Sequence, residues 1–291
     1  MGKKIIIGGC GSSGTTLLRK MLNAHSNIAC GPEMSVFDRP KIFEVSLTWL
    51  YTMYRNRDFD SLDEGCVYPL RMQPLNSTYF GLSPDNSSKF YHSPDEIEAM
   101  FDQVETTRDF FDLFFTRYAE KNGANIWAEK TPNNIFCVDK VFEWFPDAVF
   151  VEVVRDGRDV VLSLNARRNN HAVVACWRWI AAVSAGQRYE STIWKNGSTY
   201  IRIYYEDLIK APGIQLDRIC RAVGEKFEPA MLEYWREPLP EDKDQKLDYG
   251  TQPIFENSIG KWKKEDCDPT IIEQMRLSIS DKLKQLAFEA W

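Results

Sequence analysis

Histidine is scarce in this chain: His25, His92 and His171 are the only three, they lie far apart, and none has the spacing of a metal-ligand pair. No zinc site is expected. The seven cysteines include no CxxC pair, and 291 residues can bury enough surface to fold without disulfide staples, so they read as buried or idle thiols. Positive charge is not in surplus either. Thirty-six basic against forty-two acidic residues leave a formal charge of -6, which excludes holding a polyanion such as duplex nucleic acid by bulk electrostatics. Any anion site has to be local. Long apolar runs are also missing: from Met1 the chain passes two lysines, then Ile5, Ile6 and Ile7, then glycines. That stretch is too short for a signal peptide or a membrane span, and the expected location is cytoplasmic. No internal repeat or low-complexity tract stands out, and the one linker-like run is Glu237 to Lys246.

What remains is the composition of a soluble globular chain, 44% hydrophobic and 27% charged, and a single domain over 1–291 is expected. Lys3 to Gly9 (KKIIIGG) has the β-branched run of a buried central strand, and TTLLRKMLNAH from Thr15 puts Leu18, Met21 and Leu22 on one helical face. The first unit is therefore strand, glycine-rich turn, helix. From about 34 to 93 the periodicity is weak and aromatics are many, which suggests a partly helical insertion able to serve as lid and acceptor wall. Ser93, Pro94 and Glu96 combine a cap, a first-turn proline and a capping-box acid, so a helix should begin there. A further helix is expected over Thr107 to Lys121, a short strand over Ile126 to Ala128, and a strand at Ala148 to Val154 followed by a helix from RDGRD. Val173 to Trp194 and Ile214 to Val223 read as helices, and Tyr200 to Tyr204 as a strand. Strands alternating with helices imply an α/β fold with a mainly parallel central sheet, whose ligands gather beyond the strand carboxyl ends.

The strongest local signal is GCGSSGTTLL, Gly9 to Leu18. Its spacing matches the phosphate-loop pattern G-x-x-x-x-G-K-S/T except that Thr15 stands where ATP-binding loops carry lysine, which weighs against an ordinary kinase. A glycine-rich turn can be purely structural, but the hydroxyls of GSSGTT offer side-chain donors that a plain turn does not need.

Here the sequence resembles the sulfotransferase family. That family's 5′-phosphosulfate loop follows the first strand and commonly reads as a basic residue followed by Ser-Gly-Thr-Thr, close to Ser12 through Thr16. The likeness to tyrosylprotein and bacterial sulfotransferases extends through LLRKMLNAH (Leu17 to His25) to CGPE (Cys30 to Glu33). It implies a phosphate-loop fold with a helical lid. It also implies a donor, 3′-phosphoadenosine 5′-phosphosulfate (PAPS), cradled at Gly11, Ser12, Ser13, Gly14, Thr15 and Thr16, with adenosine 3′,5′-bisphosphate as product and no obligatory metal. Where relatives carry the basic residue this chain has Ser12, so another cation should offset the developing charge; Lys130 and Arg19 are candidates. VVRDGRDVVLS resembles the family's 3′-phosphate motif, which assigns that phosphate to Arg155 and Ser163, with Arg167 as a third contact. The arginine fork suits a dianion, and Ser163 lies two helical turns along on the same side. Taken alone, Asp156, Arg158 and Asp159 would read as ordinary solvated pairs. YYEDL and SIGKW resemble two further family segments and add Tyr205 and Lys261 to the donor site.

By the same likeness Glu33 takes the role of general base and Lys130, in EKTPNN, stabilises the leaving phosphate or the transferring group. Without the likeness, Glu33 is a helix N-terminal carboxylate after Pro32, Lys130 pairs with Glu129 at the surface, and Lys261 is a surface lysine beside a half-buried tryptophan. His25 ends the first helix and reads as a packing or dipole residue rather than a base. The expected reaction is transfer of a sulfuryl group to a hydroxyl of a small molecule, carbohydrate, lipid or peptide. A kinase-like phosphotransferase and a non-catalytic nucleotide-binding module are the alternatives. The position two residues after Glu33, arginine in the tyrosylprotein enzymes, is Ser35, so peptide-tyrosine specificity does not follow. The aromatics Trp49, Tyr51, Tyr54, Tyr79, Phe80 and Tyr91 either stack an acceptor ring or form a local core.

Overall fold

The computed structural model describes residues 3–58, 82, 87–168, 171–192, 198–236, 253, 256–264 and 267–291. Its centre is β1 (Ile5–Gly9), every residue of which is buried. The strand alternates its contacts, as the pleat requires: Ile6 faces an aromatic layer with Phe150, while Ile5 and Ile7 face the opposite layer with Val149 and Val151. Burial on both faces explains why the run is continuously apolar. Around it lie β2 (Ile28–Cys30), β3 (Ile126–Lys130), β4 (Val149–Val154) and β5 (Thr199–Tyr204), in the order β2-β3-β1-β4-β5. All four pairings are parallel, with Ile7 beside both Lys130 and Val151 and Gly9 beside Val153. The chain leaves β1 toward one edge and β4 toward the other, so a crevice opens beyond their carboxyl ends.

The expected elements at α1 (Thr15–Asn23), α3 (Pro94–Phe101), α4 (Thr107–Lys121), α6 (Gly157–Arg168), α7 (Ala172–Thr192) and α9 (Pro212–Val223) are present, with α2 (Leu47–Asn56) in the insertion. The α3 capping box is complete: Ser93 Oγ accepts from the Glu96 amide at 3.2 Å, and Glu96 Oε2 accepts from the Ser93 amide at 2.7 Å. Not anticipated were β2, α5 (Val138–Trp144), α8 (Tyr205–Lys210) and α10 (Pro269–Gln285). The run 59–81 within the expected insertion, including Tyr79 and Phe80, and the linker-like 237–246 lie outside the described residues.

Of the insertion's aromatics, Trp49 and Tyr54 pack against the main core, Tyr51 and Tyr54 lie against Phe101, and Tyr91 stacks on Tyr118 at 5.9 Å. The start of the insertion is held by Phe37, fully buried with its ring within 6.4 Å of Phe43, Phe111, Phe115, Trp127, Trp144 and Phe145. It joins the insertion to α4, β3 and α5 at once. Cys10, Cys30, Cys137, Cys176 and Cys220 are buried, as expected. Among the described residues no helix is long and apolar enough to cross a membrane.

Phe37→Ala should leave a void that these rigid rings cannot close, lowering the free energy of unfolding by roughly 3–5 kcal/mol in a urea titration.

Candidate active site

The turn after β1 is built from backbone geometry that few residues accept. Ser12 has φ +69° and Gly14 φ +103°, on either side of Ser13, whose amide donates to the Cys10 carbonyl at 3.1 Å. Left-handed residues alternating in this way turn successive amides to one side and form an anion nest at the start of α1. Gly14 cannot be replaced cheaply: besides its φ, a Cβ there would run into the ring of Tyr205. Ser13 Oγ is buried with no hydrogen-bond partner, an orphaned donor beside the nest.

Tyr205 connects this turn to the one after β4. The Arg155 guanidinium lies 4.7 Å over its ring, donates from Nη1 to the Ser12 carbonyl at 2.9 Å and from Nη2 to the Ser258 carbonyl at 2.5 Å. The Tyr205 hydroxyl meets Ser258 Oγ at 2.7 Å. Trp179 fixes the turn from behind, its indole N–H donating to the Arg155 carbonyl at 2.9 Å. Residues distant in sequence, Ser12, Gly14, Arg155, Tyr205 and Ser258, thus form one cluster. Arg155 Nε is buried and has no partner, a second orphaned donor. Ser163 is buried on α6, and Lys261 follows Gly260, whose amide donates to Asp159 at 2.8 Å. Arg167 lies in the last turn of α6; its side chain is outside the described residues.

The solvated-pair reading of the RDGRD segment is overturned. Arg158 and Asp159 are fully buried; Asp156 grips Arg158 through both carboxylate oxygens, and Asp159 accepts from the Gly260 and Trp262 amides. Burial raises the Asp159 carboxyl, against the nearby Arg155 charge and these two amides, which lower it.

On the other side of the nest, Lys130 at the end of β3 pairs with Glu33 and donates to Thr16 Oγ1 at 3.3 Å. The Lys130 side chain is 3% exposed and that of Glu33 47%, so the cation is rooted in the fold while the carboxylate stands at the surface. No helix begins at Glu33, which removes the helix-terminal alternative. Nor does Lys130 pair with Glu129. Strand alternation sends Glu129 to the opposite face, fully buried, where its Oε1 accepts from Thr131 Oγ1 at 2.6 Å and the Met34 amide at 3.3 Å, and its Oε2 from Asn134 at 2.5 Å. Burial still raises this carboxyl to about 7 against the pull of three donors. Together with the Ser35 amide on Thr131 Oγ1 at 3.1 Å, these contacts fix the loop carrying Glu33 against β3. Arg19, the other candidate cation, donates to the Cys30 carbonyl at 3.2 Å, at the root of that loop. His25 accepts the Asn27 amide at Nδ1 and donates from Nε2 to the Lys226 carbonyl, so it packs α1 against the 225–228 segment. Asn134, which also donates to the Ile7 carbonyl at 3.1 Å, was not anticipated; the TPNN string after β3 could have pointed to it.

A parallel sheet with an anion nest after its central strand and an arginine turn after the neighbouring strand defines an α/β protein of the phosphate-loop fold. The sulfotransferase domain from the curacin biosynthetic pathway shares the fold at TM-score 0.65 and 17% identity, covering 100% of this chain and 99% of that one. So does the sulfotransferase domain from the Synechococcus PCC 7002 olefin synthase, at TM-score 0.67 and 17% identity, covering 99% and 95%. The profile of the sulfotransferase family matches residues 4–229, and the chain belongs to that family. Curated relatives include a protein-tyrosine sulfotransferase of Drosophila melanogaster, 25% identical over 273 residues, covering 89% of this chain and 46% of that protein. Protein-tyrosine sulfotransferase 2 of Gallus gallus is 25% identical over 239 residues, covering 79% and 53%. The chain spans about half the length of these relatives.

Glu206, beside Tyr205, accepts from the Asp156 amide at 3.0 Å, and burial raises its carboxyl from 4.5 to about 7. Between those values the folded chain holds a proton that the unfolded chain has released, so stability falls as pH rises through this window and levels off above it; Glu129 contributes with the same sign. Glu206→Gln keeps an acceptor for Asp156 and should be more stable than the parent by roughly 2–3 kcal/mol at about pH 8, with the difference vanishing below about pH 4.5 in denaturant titrations.

Proposed function

We propose that this chain is a PAPS-dependent sulfotransferase that moves a sulfuryl group to an acceptor hydroxyl by in-line transfer without a metal ion. The observation that carries this reading is the convergence of the Ser12–Gly14 turn and Arg155 on a single tyrosine, Tyr205, leaving two unsatisfied buried donors. Family membership and the protein-tyrosine sulfotransferase relatives support it.

The amides of Gly11 through Thr16, with the hydroxyls of Ser12, Ser13, Thr15 and Thr16, are assigned to the 5′-phosphosulfate, where the helix start favours an anion. Arg155, Ser163, Arg167, Tyr205 and Lys261 are assigned to the 3′-phosphate end; the spare Arg155 Nε is the kind of donor such a group satisfies. When bound, PAPS supplies an activated sulfuryl group with a phosphate as leaving group. Lys130 brings a fixed ammonium to the nest beside Thr16, replacing the cation relatives carry at the Ser12 position. Glu33 accepts the proton of the acceptor hydroxyl at its carboxylate, and Lys130 holds that carboxylate beside the nest until an acceptor arrives. The acceptor is a hydroxyl of a peptide, small molecule, carbohydrate or lipid. The relatives favour a peptide, while Ser35, whose amide is committed to Thr131, leaves out their arginine.

Calorimetry with adenosine 3′,5′-bisphosphate in the presence of a chelator should show one-to-one binding, and no heat of binding would defeat the proposal. ATP with magnesium should bind far more weakly; the reverse order would favour a kinase. Glu33→Gln should lower labelled-sulfate transfer to a panel of phenols, sugars, lipids and tyrosyl peptides by about 10²–10⁴-fold while sparing nucleotide binding.

A further inference from the structure

The segment that brings Ser258 onto Arg155 and Tyr205 is held from outside as well as from the nucleotide side. Asp159 Oδ2 takes the Gly260 amide at 2.8 Å, and Oδ1 takes the Trp262 amide at 3.3 Å, with Lys261 between the two. Behind them Arg158, gripped by Asp156, lies 3.6 Å over the Trp262 ring and 5.2 Å from the ring of Trp291. The two indoles meet edge to face at 5.7 Å. Trp291 is itself anchored to α10 through its indole N–H on Ser280 Oγ at 2.6 Å, and the Arg276 guanidinium lies 5.6 Å over its ring. Glu289 reaches Lys263 at 2.5 Å, and Arg158 Nη1 reaches the Ala290 carbonyl at 3.4 Å. None of these contacts is used by the transfer chemistry.

We infer that Trp291 is a positioning residue for the donor nucleotide: packed against Arg158 and edge to face with Trp262, it keeps the 258–263 segment in place so that Ser258 and Lys261 are presented beside Arg155. This rests on the donor site proposed above. The arrangement is economical in physical terms. The same five-residue motif that supplies Arg155 to the nucleotide supplies Asp159 to the segment's amides and Arg158 to its tryptophan, so residues 286–291 are coupled to the donor site through one rigid turn.

Hydrogen exchange on the full chain without nucleotide reads the clasp directly. In Trp291→Ala the Gly260 and Trp262 amides should exchange about tenfold faster, with the β4 amides unchanged. Trp291→Phe, which keeps an aromatic face, should stay within about twofold of the parent. Calorimetry should show the same pattern, the dissociation constant for adenosine 3′,5′-bisphosphate rising about tenfold in the alanine variant and recovering in the phenylalanine one. Unchanged exchange and affinity in Trp291→Ala would overturn the inference. If the parent binds no nucleotide, the donor assignment fails while the exchange result still decides whether the clasp exists. Should Trp291→Ala lose its near-UV circular dichroism, Glu289→Lys replaces it as the test: at this exposed pair folding is not at stake, and the same two amides must speed up for the inference to stand.

Discussion

A buried guanidinium needs acceptors, and Arg155 finds them in two backbone carbonyls that belong to different loops, Ser12 and Ser258, with the face of Tyr205 beneath. Leaving such a charge without partners costs far more than the ordering of either loop, so the loops come to the arginine rather than the reverse. The nest after β1, the turn after β4, the strand end at Tyr205 and the 258–263 segment are thereby tied together by one side chain. Gly14 completes the constraint from below, because only a residue without Cβ lets Tyr205 sit against the turn. A site held in this way is largely formed before any ligand arrives.

The other half of the site depends on a neighbouring pair whose side chains serve different purposes. Glu129 and Lys130 are consecutive on β3, so the pleat sends them to opposite faces. Glu129 disappears into the core and collects Met34, Thr131 and Asn134, which shapes the loop carrying Glu33. Lys130 turns to the nest and takes Glu33 itself. The cation and carboxylate assigned to catalysis therefore meet because a buried carboxylate, with no part in the chemistry, sets the path of the chain between them.

Much of this is legible in the sequence, and the reason is locality. KKIIIGG followed by GSSGTT contains its own strand, turn chemistry and helix start, and Ser93 with Glu96 carries a complete cap within four residues. Motifs placed after strands of a parallel sheet must emerge at the same end, so the meeting of the Ser12 and Arg155 turns followed from topology. What escaped was of two kinds. Short elements such as β2, three residues long, exist only because β3 pairs with them. The α10 start had a local signal, Asp268 capping the Thr270 amide with Pro269 in the first turn, but weak periodicity after it. The second kind was tertiary. Nothing in the string RDGRD separates a charge at the surface from one buried under Trp262, so taken alone Arg158 and Asp159 read as solvated, and Glu129 stood as the alternative partner of Lys130.

Ser12 is the clearest departure from the family pattern described above, and the proposed donor site answers it with a cation from elsewhere in the fold. Its backbone is left-handed, with φ +69°, and its carbonyl is already committed to Arg155. A cation arriving from β3 meets the nest from the other side, where Thr16 receives Lys130. The positive charge is thus carried by a strand rather than by the loop itself. For the donor site proposed above, a chain with a formal charge of -6 offers oriented amides, one helix start and two rooted cations, Lys130 and Arg155, acting over a few ångströms, where they outweigh the diffuse field of surface carboxylates screened by salt.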